Sequence, residues 1–192
     1  AAPQPAMAAG YRGFMQINRK KDADNMRILL SAAPKDLVKK FLGIFQAAGL
    51  QLLALDTESF TLIRSLVGVD NATVMIVDMD FTVTNVIIVS RGIPYLNRSV
   101  GVGGLNITRE IARSLNINLR RAEQFKYDIG VSAAAQGSSG IPQLITTALQ
   151  PVVDEIKYSL NLYRGQGRGG VDKIILTGGS SLLQNLPNYL SQ

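Results

Sequence analysis

The stretch Thr73-Val-Met-Ile-Val-Asp78-Met-Asp80-Phe-Thr82-Val-Thr84-Asn-Val-Ile-Ile-Val89 decides the fold class of this 192-residue chain. Its first apolar run ends in an acid, a polar corner follows, and a second apolar run begins after the corner. Two such runs separated by a short polar turn predict a β-hairpin. The corner would place the carboxylate of Asp78 and the hydroxyls of Thr82 and Thr84 at the mouth of that hairpin.

Two later segments repeat the theme of a strand that leads into glycines. Val102-Gly103-Gly104 opens a helical pattern, and Ile174-Ile-Leu-Thr-Gly178-Gly179-Ser180-Ser181 lies near the end of the chain. Glycine suits such corners because it allows a close approach of backbone. Hydrophobic periodicity then predicts the remaining elements. Strands are expected at 73–78, 83–90, 93–100 and 172–177. Helices are expected at about 105–115, from a capping Asn118 to about 129, from 142 to 165, and briefly at the end of the chain, with a loop at 131–140.

The residues before this region predict a smaller α/β unit. A strand at 26–33 is followed by a helix with Pro34 in its first turn, a second strand at 51–56, and a helix at 58–67. We therefore expect a linker or disordered segment at 1–13, a small α/β subdomain at 14–68, and a larger α/β domain at 72–192.

Composition excludes several kinds of protein. The chain contains no cysteine and no histidine, so disulfide scaffolds, thiolate metal sites and histidine bases are ruled out. The net charge of +6 favours anionic partners, but the basic residues are scattered, with Arg19-Lys20-Lys21 and Arg120-Arg121 the densest clusters, and no aromatic stripe accompanies them. We expect no nucleic-acid binding. No apolar run approaches the roughly 18 residues that cross a bilayer.

Three consecutive strands followed by helix, strand and helix resemble the second half-domain of the actin-like, ribonuclease-H-like fold. The chain resembles the PilM family of type IV pilus assembly proteins, which are FtsA-like, in Arg91-Gly-Ile-Pro94, Gly103-Gly104, Glu123-x-x-Lys126 and Thr177-Gly-Gly-Ser180. The segments around Ser31-Ala-Ala-Pro34 and Ala47-Ala-Gly49 resemble the end of the small subdomain inserted in this family. The fold would be incomplete, as in a fragment that lacks the N-terminal subdomain.

The resemblance implies a site for ATP and magnesium in the full-length protein. Asp78 would hold magnesium through water, and the rest of the nucleotide would contact Thr82, Thr84, Gly103, Gly104, Glu123, Lys126, Gly178, Gly179 and Ser180. Each motif also has a plainer interpretation: a polar turn, a strand-to-helix corner, a surface ion pair, and an ordinary loop. No residue is assigned a catalytic role, and no cofactor is expected for this chain alone.

Asp80 departs from the family pattern, which has glycine at this position. An aspartate adds bulk and a charge that opposes phosphate by roughly 1 kcal/mol in water, although Asp80 could also share the metal. Hydrolysis of ATP is therefore doubtful.

The resemblance implies a cytoplasmic adapter at the inner membrane. Such an adapter would bind the cytoplasmic tail of PilN, form a ring, and connect to the pilus motor ATPases, touching the membrane only indirectly. Two other functions stay open at this point: an active actin-like ATPase that drives assembly, and an FtsA-like cell-division protein.

Overall fold

A computed structural model describes residues 12–18, 27–131 and 140–192 and divides the chain into two compact units, at 1–57 and 58–192. Most of the predicted loop at 131–140, most of the predicted linker and the Arg19-Lys20-Lys21 cluster lie outside the described residues. Within the described part of the chain, no helix is long and apolar enough to cross a membrane.

In its described residues, the first unit contains a two-stranded antiparallel sheet and one helix. Strands β1 (Arg12–Asn18) and β2 (Arg27–Ala32) pair from Arg12↔Ala32 to Asn18↔Arg27. The predicted helix is present as α1 (Lys35–Ala47), and Pro34 lies at its N-cap, one position before its first turn. The predicted strand at 51–56 is wrong, because these residues form no regular secondary structure. Its apolar run, Leu-Leu-Ala-Leu, lacks the β-branched residues that favour a strand.

The second unit is built on a four-stranded sheet in the order β5-β4-β3-β6. Strands β3 (Thr73–Met79), β4 (Thr84–Ser90) and β5 (Ile93–Val100) form the predicted antiparallel series, and β6 (Lys173–Thr177) lies parallel to β3. The other helices are α2 (Glu58–Leu62, continued by a π-helical turn to Val67), α3 (Gly104–Leu115), α4 (Leu119–Ile129), α5 (Ile141–Gly165) and α6 (Leu186–Leu190).

Helices cover both faces of this sheet. Because side chains alternate along a strand, Met75 and Val77 of β3 pack into a core with α3, α4 and α5. Val74 and Ile76 point the other way, into a second core with Ile63 and Val67. The helix at 58–67, which the sequence analysis assigned to the small subdomain, therefore packs in the structure on the sheet of the second unit.

Individual residues explain how α4 begins, how α3 ends and where α5 lacks a hydrogen bond. Asn118 caps α4 as predicted, because its Oδ1 accepts a hydrogen bond from the Arg121 amide at 2.9 Å. Helix α3 ends at Leu115, and its C-cap residue, Asn116, adopts the left-handed conformation with φ 50°. Helix α5 contains Pro151 in its interior, where the missing N–H removes one helical hydrogen bond.

Candidate nucleotide-binding site

The C-terminal ends of two parallel strands bring the first and last motifs together. Asp78 of β3 pairs in register with Thr177 of β6, so both strands end at the same edge of the sheet. Ligands of open α/β sheets bind at this edge. Gly178 has φ +81°, and a Cβ at this position would lie 2.6 Å from the Met79 carbonyl oxygen. Only glycine allows the two loops to lie so close.

Some polar groups of the hairpin turn form hydrogen bonds to other groups of the protein. The Asp80 amide donates to the Val83 carbonyl at 2.9 Å. Thr84 is buried, and its hydroxyl donates to the Val102 carbonyl at 2.7 Å, which ties the hairpin to the segment before α3. Thr82 and Phe81 at the tip are exposed, the latter by 61%. Of the two predicted threonines, only Thr82 is open to solvent.

The start of α3 is bonded to the hairpin. The amides of Gly104 and Leu105 donate to the carbonyls of Asp80 and Phe81 at 2.9 and 2.8 Å. A Cβ on Gly103 would lie 2.5 Å from the Asp80 carbonyl oxygen. These contacts favour the interpretation of Gly103-Gly104 as a tight strand-to-helix corner, because the first helical amides already have protein acceptors.

Three carboxylates meet beside the hairpin. One carboxylate oxygen from each of Glu58, Asp78 and Asp80 lies within 4.8 Å of the other two. Burial raises the pKa of Asp78, and the negative charges of Asp80 and Glu58 raise it further, whereas a hydrogen bond from Asn85 acts in the opposite direction. Clustered carboxylate oxygens of this kind are ligands that magnesium prefers. Asp80 thus lies beside the predicted metal residue.

Sequence reasoning missed Glu58. This residue opens α2, 20 positions before Asp78, and only the packing of α2 on the sheet brings the two together. Its Oε2 accepts from Asn85 Nδ2 at 3.4 Å. The available signal was weak: an acid at a helix start is ordinary, because it complements the helix dipole.

Lys126 and Glu123 of α4 form a hydrogen-bonded pair at 2.7 Å, but not an ordinary surface pair. The side chain of Lys126 is 1% exposed and that of Glu123 is 39% exposed. The Lys126 ammonium also donates to Thr108 Oγ1 at 3.1 Å and to the Gly104 carbonyl at 3.3 Å. Lys126 is therefore an internal connection between α4 and the start of α3.

The last motif closes the same side of the site. The Tyr127 hydroxyl donates to the Gly179 carbonyl at 3.2 Å, and Ser180 is buried. A Cβ on Gly104 would lie 2.6 Å from Ser180 Oγ and 3.2 Å from Lys126 Nζ. The three predicted segments thus meet around Gly104.

Comparison with known proteins identifies the family. The family model for "Type IV pilus assembly protein PilM" matches residues 13–192. The chain belongs to the PilM family. A solved PilM–PilN type IV pilus biogenesis complex is similar to it, with a TM-score of 0.72, 23% identity, and coverage of 94% of this chain and 53% of that chain.

Actin-like proteins outside the family share the fold. MreB5 of Spiroplasma citri bound to AMPPNP has a TM-score of 0.65 and 17% identity, with 83% of this chain and 57% of that chain covered. The ethanolamine utilization protein EutJ from Carboxydothermus hydrogenoformans has a TM-score of 0.54 and 18% identity, with coverage of 78% and 51%. The predicted actin-like fold is confirmed, and the chain spans about half the length of these solved chains.

Proposed function

We propose that this member of the PilM family is a cytoplasmic adapter of type IV pilus assembly that binds the cytoplasmic tail of PilN. The observation that carries the proposal is the match to a PilM–PilN complex over 94% of this chain. In this proposal the protein lies at the inner membrane without entering it, associates into a ring, and connects to the pilus motor ATPases.

The first unit supplies the surface that we assign to the PilN tail. Helix α1 exposes apolar side chains, among them Phe41 by 40% and Ile44 by 52%. The same helix carries Lys35, Lys39 and Lys40. An apolar helical surface of this kind suits a short peptide that docks apolar anchors.

Binding of a fluorescent peptide with the sequence of the PilN tail tests this function by anisotropy. We expect the wild-type protein to bind and Ile44→Lys to weaken binding about tenfold or more, because it places a charge against an apolar anchor. Gln46→Lys, an equal change of charge at an exposed polar position of α1, serves as the matched control. No binding by the wild type contradicts the adapter proposal, and equal binding by both variants moves the contact away from Ile44.

We further propose that the site at the ends of β3 and β6 binds ATP with magnesium in the full-length protein. Asp78, Asp80 and Glu58 fit a divalent cation, since they offer three carboxylates within 4.8 Å. Magnesium bound there would offset the charge of the phosphates. The hairpin tip at 81–83 supplies the phosphate contacts, and Glu123 together with the loop at Gly178 and Gly179 supplies the contacts to the nucleoside.

A second candidate is an active ATPase, which the same three carboxylates favour. Phosphate release by the full-length protein, compared with an Asp78→Asn variant, separates the two functions. Turnover that depends on Asp78 supports the ATPase. PilN binding without such turnover supports the adapter.

A further inference from the structure

The corner between α3 and α4 presents arginines and leucines to solvent. Its sequence is Arg113-Ser-Leu115-Asn-Ile-Asn-Leu119-Arg120-Arg121. The side chain of Arg113 is 81% exposed, Leu115 and Leu119 are 41% and 50% exposed, and Arg120 and Arg121 are exposed as well. We call these three arginines and two leucines the α3–α4 patch.

The α3–α4 patch carries three positive charges and no negative one. Residues 111–122 contain no aspartate and no glutamate. Of the two acids that flank this segment, Glu123 is paired with the buried Lys126, and Glu110 Oε2 lies 3.8 Å from Nη1 of Arg113. An exposed ion pair of this kind is weak, so Arg113 stays available to an anionic partner.

The corner has a defined conformation, because part of it belongs to the core. Ile117 and Ala112 pack against the buried cluster, and the Ile117 amide donates to the Ala112 carbonyl at 3.0 Å. Ile111 is fully buried, whereas Leu115, one turn later on α3, is exposed. The core therefore ends at this turn, and the apolar face of α3 continues into solvent.

Exposed leucines among arginines fit the surface of an anionic bilayer. Guanidinium groups bind phosphate oxygens, and aliphatic side chains gain by burial near the boundary between headgroups and acyl chains. The depression beside Arg120 and Arg121 is open to solvent and is not a groove that would enclose a peptide. A fluid, negatively charged surface matches both the charge and the open shape.

We propose that the α3–α4 patch binds the surface of an anionic phospholipid bilayer directly. The inference rests on the position at the inner membrane proposed above, and it replaces the indirect membrane contact that the resemblance implies. The three arginines contact headgroup phosphates, and the two leucines lie at the level of the headgroups. A protein held both by lipid and by the PilN tail stays at the membrane even when each contact alone is weak.

Flotation of the full-length protein with vesicles, in the absence of PilN, tests the inference. We expect binding to vesicles of phosphatidylethanolamine with phosphatidylglycerol, weaker binding as the salt concentration rises, and none to phosphatidylcholine alone. Arg120→Glu combined with Arg121→Glu should weaken binding about 25-fold or more, because each arginine near an anionic surface contributes about fivefold. Leu119→Ser should weaken it about threefold, through lost apolar burial.

Matched variants control for charge and for folding. Lys157→Glu combined with Arg164→Glu reverses as many charges at exposed positions of α5 and should weaken binding less than about threefold. Val69→Ser alters a side chain that is 98% exposed elsewhere and should change nothing. Glutamate is favourable in the first turn of a helix, so the double variant at Arg120 and Arg121 should fold, which circular dichroism checks.

The outcomes distinguish this inference from the proposed function. Equal losses in the two double variants mean that binding follows net charge, and they overturn the assignment to the α3–α4 patch. Failure of the wild type to bind the anionic vesicles also overturns it. If the same surface instead binds a polyglutamate peptide, its partner is an acidic protein.

The anisotropy assay with the PilN peptide, run on the same variants, supplies the second readout. A protein that binds the vesicles but not the peptide contradicts the adapter proposal alone. A protein that binds the peptide but not the vesicles contradicts the lipid contact alone.

Discussion

Asp80 brings a third negative charge to the mouth of the hairpin, next to a carboxyl that is already buried. Burial raises the pKa of Asp78, with further increases from Asp80 and Glu58. A carboxyl whose pKa is higher in the folded than in the unfolded state favours the fold fully below its unfolded pKa. That contribution is lost as the pH rises through the folded pKa. At neutral pH, the ionised carboxylate of Asp78 therefore opposes folding.

We expect Asp80→Asn to raise the free energy of unfolding by about 1 kcal/mol at neutral pH. The gain should disappear in acid, where the carboxyls are protonated in both states. Urea denaturation at both pH values measures it, with Asp154→Asn, an exposed change in the middle of α5, as the control. Magnesium should stabilise the wild type more than the variant. A loss of stability in Asp80→Asn at neutral pH contradicts this account.

Two glycines with positive φ allow the cost of backbone strain to be measured separately from the cost of steric conflict. Gly178 (φ +81°) faces the Met79 carbonyl, whereas Gly167 (φ +69°) has open space around it. Alanine at either position costs about 1–2 kcal/mol for the left-handed backbone. Gly178→Ala should cost a further 1–3 kcal/mol, roughly the penalty of overpacking. Chemical denaturation of both variants checks the difference, and equal losses would mean that the loop at Gly178 moves freely.

At the scale of elements, α2 and its π-helical turn stabilise the sheet of the second unit by packing on one of its faces. Ile63 and Val67 are buried against the β3–β4 face, whereas Val69, two residues later, is 98% exposed. The boundary of any deletion therefore matters: removal of residues up to 68 would strip one face of the sheet, whereas removal up to 57 would not.

Ile63→Ala should destabilise the second unit by about 2–5 kcal/mol, the usual cost of removing a buried aliphatic side chain. The change should also raise hydrogen exchange in β3 and β4, because these strands form the other side of this core. Val69→Ala is the matched control and should change stability by less than about 0.5 kcal/mol. Undisturbed exchange in β3 after Ile63→Ala contradicts the packing described above.

Local patterns predicted the second unit better than the first. Side chains along the hairpin strands β3 and β4 point alternately into two cores, and each strand ends in turn residues. Their sequence therefore indicates both that they are strands and where they end. Strand β1 (Arg12–Asn18) was not predicted, because Arg-Gly-Phe-Met-Gln-Ile-Asn lacks a regular alternation. Glu58 and Thr108 reached the site only through packing between elements, which no spacing along the chain reveals.

At the scale of the whole molecule, we expect the segment that ends the first unit to be open to proteases. Residues 50–57 have no regular secondary structure, and Leu53 and Leu55 are 86% and 46% exposed. Exposed segments of this kind are cut first. Limited chymotrypsin digestion should release a stable fragment that starts near Glu58, identified by mass spectrometry. Earlier cutting inside β3–β5 contradicts the division into units.

This 192-residue chain alone should not bind ATP tightly. The amides that open α3 are bonded to the hairpin, and Asp80 adds a negative charge at the mouth of the hairpin, where we propose that the phosphates bind. Calorimetry with Mg-ATP should therefore show weak binding or none. Submicromolar affinity would contradict this expectation, and Asp80→Gly in the full-length protein should strengthen binding if the charge is the obstacle.

The pairing of β3 with β6 sets an order for folding during synthesis. Strands β3, β4 and β5 adjoin in sequence, but the Thr73 amide reaches its acceptor, Asp172, only across 99 residues. Until the ribosome has delivered β6, one edge of the apolar central strand is unpaired and able to join other chains. Translation that pauses before Lys173 should therefore expose nascent chains to aggregation and to chaperones.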